Sequence, residues 1–132
     1  MPLELSADLH FLVWSVALCL VQMLVAVCGA TLQVGLPRLA GNREALPDFT
    51  GWVGRAMRAH RNMLENLVLF AALVLAAQAA GLANETTALG ALLFFWARVA
   101  YAVIYVAGIP WLRTLAWFAS VIGMVMIAVQ LF

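Results

Sequence analysis

The chain has 132 residues, of which 67% are hydrophobic and 10% are charged, and its mean hydropathy is +1.04. This composition excludes a soluble globular domain and predicts an integral membrane protein. Because one span takes about 20 residues, the length allows four transmembrane helices and no separate catalytic domain. The net charge of +1 is too small for a nucleic-acid-binding surface, so we expect no nucleic acid partner.

The charged and metal-ligating side chains narrow the possibilities further. All seven basic residues are arginine, which suits buried ion pairs and carboxylate recognition better than lysine does, although GC-rich codon usage would produce the same bias. Cys19 and Cys28 fall on opposite faces of one helix and cannot pair. His10 and His60 fall near opposite ends of the membrane, so we expect no metal site.

Four long apolar runs follow one another along the chain. The first is too long for a signal-peptide core, so we interpret it as a retained helix. A polar, turn-rich loop follows it, and Pro110 separates the third run from the fourth. The predicted fold is an all-α membrane protein, a four-transmembrane-helix bundle in a single domain of residues 1–132. Its helices cover about 9–36, 52–80, 86–108 and 111–132.

Loop charges predict the orientation. The basic side chains Arg38, Arg43 and Arg113 fall at one side of the membrane, and the acidic Glu4, Asp8 and Glu85 at the other. Because basic loops face the cytoplasm, both termini are predicted to lie outside. We expect a multi-pass protein of a bacterial inner membrane.

Charged and amide side chains interrupt the apolar pattern of helix 2. At 100° per residue they fall within an arc of roughly 140°, so they form one polar stripe. Its members are Arg55, Arg58, Arg61, Asn62, Glu65 and Asn66. Helix 3 carries a second stripe, formed by Arg98, Tyr101 and Tyr105.

Glu65 and Arg98 are predicted to form a structural ion pair between helices 2 and 3. Counted from the outer ends of their helices, they lie at similar depths of ~22 Å and ~18 Å. An unpaired charge in hydrocarbon costs about 3 to 10 kcal/mol or more, so pairing is the least costly arrangement.

Arg113 and Thr114 occupy the first turn of helix 4, where free backbone N–H groups and the positive end of the helix dipole attract an anion. A thiolate suits this position. Since no cysteine lies there, the thiol has to arrive on a substrate. In the alternative interpretation, the side chains of the helix 2 arginines extend to lipid phosphates and only set the topology of the protein. This interpretation suits Arg55 and Arg61 better than Arg58.

Two motifs carry a family resemblance. The run from Arg58 to Glu65, RAHRNMLE, resembles the Arg-Ala-x-x-Asn-x-x-Glu motif of the membrane-associated proteins in eicosanoid and glutathione metabolism, the MAPEG family. The run from Ala97 to Tyr101, followed by Tyr105 and by Arg113 with Thr114, is similar to the signature of that family's third and fourth helices. Both motifs occur in order, so the resemblance covers essentially the whole chain.

The resemblance implies a homotrimer that binds glutathione as co-substrate between subunits near the cytoplasmic face. Helices 1 and 2 of one subunit and helices 3 and 4 of its neighbour would hold it. It further implies a glutathione-dependent transferase or peroxidase that takes lipophilic electrophiles or lipid hydroperoxides from the surrounding membrane lipid. Arg113 would stabilise the thiolate, with Thr114 beside it as a second catalytic candidate. The glutathione-binding candidates are Arg58, Asn62, Glu65, Tyr101, Tyr105, Arg61 and Arg38.

Some positions depart from the family pattern, and other functions remain open. The position after the motif glutamate, often tyrosine in the eicosanoid enzymes, is Asn66, and an aromatic position after Arg113 is Trp117.

The alternative function is a non-enzymatic membrane protein of the same fold that binds or presents lipid. A four-helix drug exporter is disfavoured because the first span, Leu9 to Pro37, contains no acid. The thiol could also be a low-molecular-weight compound other than glutathione.

Overall fold

A computed structural model describes residues 4–132, and within this range the chain is all-helical, with no strand. Four of its five helices are long and apolar enough to cross a membrane. This confirms the prediction of an all-α membrane protein with four candidate spans. The helices are α1 (Ala7–Val34), α2 (Leu36–Ala40), α3 (Gly51–Ala79), α4 (Glu85–Ala107) and α5 (Pro110–Ala128).

The first span begins and ends at defined caps. The hydroxyl of Ser6 accepts a hydrogen bond from the backbone N–H of Leu9 and so caps the N-terminus of α1. Gly35 ends the helix with a positive φ of 84°, a conformation that favours glycine. The chain then forms the short helix α2. These residues were predicted to form the end of helix 1 and the start of the loop.

The third and fourth spans pack together most closely. A capping box between Asn84 and Thr87 starts α4, and Gly108, with φ 85°, ends it. Gly90 of α4 lies against Gly123 of α5, where a Cβ atom on Gly90 would stand 2.5 Å from the Gly123 carbonyl oxygen. The two glycines therefore allow the backbones of α4 and α5 to approach each other closely.

The core lies at the junction of α1, α3, α4 and α5. At its centre the rings of Phe70 and Phe94 stack with their centroids 3.9 Å apart, and Met63 and Ile127 are fully buried beside them. Many large apolar side chains on the outside of the helices are exposed, as expected of a surface that faces lipid.

Candidate functional site

The polar stripe predicted for helix 2 lies on α3. It meets α4, which is the predicted helix 3, inside the bundle. Arg98 of α4 is 1% exposed, and its Nη2 donates to the side-chain oxygen of Asn62 on α3 over 2.8 Å. Its Nε and Nη1 have no hydrogen-bond partner within residues 4–132. A buried guanidinium is therefore held to the polar stripe by a neutral amide.

The predicted ion pair between Glu65 and Arg98 does not form within the described residues of this single chain. Glu65 is exposed, and the Arg98 contact goes instead to Asn62, one helical turn earlier. Counting rise per residue assumed that the two helices begin at the same level and run parallel. It also left out the rotation of each helix about its axis, which brings Asn62 rather than Glu65 to Arg98.

A second amide completes this contact. The Nδ2 of Asn66, which is 8% exposed, donates to the backbone carbonyl of Asn62 over 2.8 Å and to its side-chain oxygen over 3.2 Å. The side-chain oxygen of Asn62 therefore accepts two hydrogen bonds, one from Arg98 and one from Asn66.

Two tyrosines of α4 link this region to the arginines of α3 and α5. The rings of Tyr101 and Tyr105 contact each other edge to face, with centroids 5.5 Å apart. Arg98 lies over the Tyr101 ring at 4.1 Å, and Arg113 lies over the Tyr105 ring at 4.4 Å. The Tyr105 hydroxyl also accepts a hydrogen bond from Nε of Arg58, at 3.2 Å.

A cavity of about 160 Å³ opens between α3, α4 and the first turns of α5. Arg113 and Thr114 stand at the start of α5, where the positive end of the helix dipole lies. The cavity combines a cation, hydrogen-bonding groups and two aromatic rings, so it suits a small anion that carries an apolar part. Its lining residues are Asn62, Tyr101, Arg113, Thr114 and Trp117.

Three predicted binding residues lie elsewhere. Arg61 lines a separate groove between α1, α2 and α3, with a volume of about 360 Å³, which also contacts His60. Arg38 donates to the backbone carbonyl of Ala45 in the loop after α2, over 3.0 Å. The third, Glu65, is exposed. None of these three side chains lines the cavity.

The other predicted residues come together within one chain. Arg58 and Asn62 on α3 meet Tyr105 and Arg98 on α4 directly. Both contacts join α3 and α4 of the same chain. Arg55 donates from Nε to the carbonyl of Val106 over 2.9 Å, so it binds the C-terminal end of α4.

Sequence reasoning missed the roles of two side chains. Asn66 was placed in the polar stripe and noted as a departure from the family pattern, but it was given no role. The spacing of Asn62 and Asn66, four residues apart on one helix face, is a signal for their contact. Trp117 lies one turn after Arg113 and Thr114 and faces the same cavity. In the part of the chain from residue 4 onward, no group of three acidic, histidine or cysteine side chains could hold a metal ion.

Comparison with known proteins agrees with these motifs. No curated protein matches the sequence. The model of the MAPEG family matches residues 11–132, which is essentially the whole chain and includes all four candidate spans and the cavity. The chain therefore belongs to the MAPEG family of membrane proteins, whose members are linked to glutathione and eicosanoid metabolism.

Proposed function

We propose that the protein is a glutathione-dependent membrane transferase or peroxidase. The observation that carries this proposal is the position of Arg113, which stands in the first turn of α5, over the Tyr105 ring and at the wall of the cavity. A guanidinium beside a helix N-terminus stabilises a thiolate, which is the reactive form of the thiol.

The side chains around the cavity match the chemistry of glutathione. This tripeptide has two carboxylates, one ammonium group, two peptide bonds and a thiol. Arg58 offers a guanidinium to a carboxylate, since its hydrogen bond to Tyr105 uses only Nε and leaves the two terminal nitrogens. Asn62 offers an amide to a carboxylate or a peptide carbonyl.

Glu65 is the acid available for the ammonium group, but it is exposed and does not line the cavity of its own chain. We therefore propose that a homotrimer brings Glu65, Arg61 and Arg38 of one subunit to the site. In that assembly the outward-facing charges of α3 would meet glutathione rather than lipid, which removes the cost of leaving them unpaired.

In the proposed reaction, Arg113 holds the deprotonated sulfur, and the proton of the thiol leaves to water. The thiolate attacks a lipophilic electrophile, a carbon–sulfur bond forms, and the leaving group departs with its electron pair. The electrophile enters from the lipid that surrounds the apolar outer faces of the helices, while glutathione enters from the cytoplasmic side, where the basic loops are expected. Thr114 lies beside Arg113 and lines the same cavity.

The test is conjugation of glutathione to a chloronitrobenzene, and reduction of a lipid hydroperoxide, by the purified full-length protein. The proposal expects saturable glutathione dependence in at least one assay. Lipid that co-purifies with the protein, with no turnover in either assay, would support a lipid-presenting protein of the same fold instead. A parallel screen of other low-molecular-weight thiols identifies the donor.

A further inference from the structure

The direction of the Asn62 amide decides what this residue can bind. A side-chain amide accepts hydrogen bonds at its oxygen and donates them at its nitrogen. An arginine only donates, so the Asn62 atom at 2.8 Å from Nη2 of Arg98 is the oxygen. The nitrogen is then the end that remains for a ligand.

Asn66 holds the same oxygen from the other side. Its Nδ2 lies 2.8 Å from the backbone carbonyl of Asn62, a group that only accepts, so the orientation of Asn66 is itself determined. The same nitrogen reaches the side-chain oxygen of Asn62 at 3.2 Å. Turning the Asn62 amide by 180° would set its nitrogen against two donors, which would remove both hydrogen bonds.

The nitrogen of Asn62 has no partner within residues 4–132, and Asn62 lines the cavity beside Arg113. Asn66 is buried and is not part of the cavity wall. We infer that Asn66 is a positioning residue, which together with Arg98 holds the Asn62 amide so that its nitrogen donates to an acceptor group of the bound thiol compound. That acceptor is a carboxylate or a peptide carbonyl, and its identity as part of glutathione rests on the proposed function.

The first experiment measures glutathione affinity and steady-state kinetics for Asn66→Leu, which removes the donor and keeps a similar size. Loss of one oriented hydrogen bond to the ligand predicts an affinity about tenfold lower. KM for glutathione rises accordingly, while kcat stays within about twofold, because Arg113 is unchanged. Asn66→Ala provides the same test if leucine does not pack at this position.

The decisive experiment repeats Asn66→Leu in an Asn62→Asp background. Aspartate still accepts the hydrogen bond from Arg98, so this background keeps the buried arginine satisfied, but its two oxygens are equivalent and leave nothing to orient. If Asn66 acts through Asn62, Asn66→Leu has no further effect on the residual affinity there. An equal loss in both backgrounds, or no loss in the wild-type background, would overturn the inference.

Gln22→Leu is the matched control. Gln22 is a similarly buried amide, at 9% exposure, but it lies on α1 and lines a different groove. It is expected to leave glutathione affinity unchanged. If the wild-type protein binds no glutathione at all, the proposed function fails. If it binds and the two Asn66→Leu effects are equal, the positioning role alone fails.

Discussion

Arg98 donates to Asn62 over 2.8 Å from a position that is 1% exposed, so the only hydrogen bond of a buried guanidinium within the described residues goes to a neutral amide. The contact joins α3 to α4 and sets the polar wall of the cavity beside Arg113. The stability of the bundle and the proposed ligand binding therefore depend on the same side chain, Asn62.

Asn62→Leu is expected to destabilise the protein, because it leaves Arg98 buried without an acceptor. The cost is about 3 kcal/mol or more, as for other buried charges that lose a partner. Asn62→Asp keeps an acceptor and is expected to be at least as stable as the wild-type protein. Thermal unfolding of both variants in the same detergent measures this difference in stability. Equal melting temperatures for Asn62→Leu and Asn62→Asp would contradict the expectation.

Arg113→Ala is expected to lower kcat for glutathione conjugation by about a hundredfold, as removal of one stabilising donor does at other reacting anions. The fold is expected to persist, because the half-buried side chain of Arg113 contacts the Tyr105 ring and makes no hydrogen bond within residues 4–132. Turnover and melting temperature are measured together. A parallel fall in turnover and in melting temperature would show that Arg113 is structural rather than catalytic.

Tyr105→Phe separates two contacts of one side chain. The substitution removes the hydroxyl that accepts from Arg58 but keeps the ring under Arg113. Glutathione affinity is expected to fall by about threefold, the effect of one modest hydrogen bond, with kcat unchanged. A change confined to kcat would instead assign the hydroxyl to the chemical step.

The number and order of the spans could be predicted because hydropathy and breakers such as Pro110 act locally. The partner of Arg98 could not be predicted in the same way. Rise per residue gives depth along one helix, whereas Glu65 and Asn62 are distinguished by the offset and rotation of α3 against α4. Those depend on how α3 packs against α4, which follows from the whole bundle and not from one helix.

The short helix α2 was missed for a different reason. Its five residues include Pro37 and follow Gly35, so they resemble a loop in composition. The separation of Arg61 from Arg58 was also hidden, because the two lie only three residues apart and within the same broad arc. Only the placement of α1 and α2 against α3 gives Arg61 a groove of its own.

Gly123→Ala is expected to destabilise the bundle by about 1 to 3 kcal/mol through overpacking, because its Cβ would stand 2.6 Å from the Gly90 carbonyl oxygen. Gly41→Ala is the control, since its nearest neighbour would lie at an ordinary 3.5 Å. Unfolding midpoints of the two variants are compared in one detergent. Equal midpoints would mean that the interface between α4 and α5 accommodates the added methyl group without loss of stability.

We propose above that the cavity beside Arg113 binds glutathione as its thiolate. The most direct measurement is the ultraviolet difference spectrum of the purified protein titrated with glutathione, for the wild-type chain and for Arg113→Ala. The account predicts a saturable thiolate absorbance in the wild-type protein that is lost in the variant. Absence of a signal at millimolar glutathione, or an identical signal in both proteins, would contradict it.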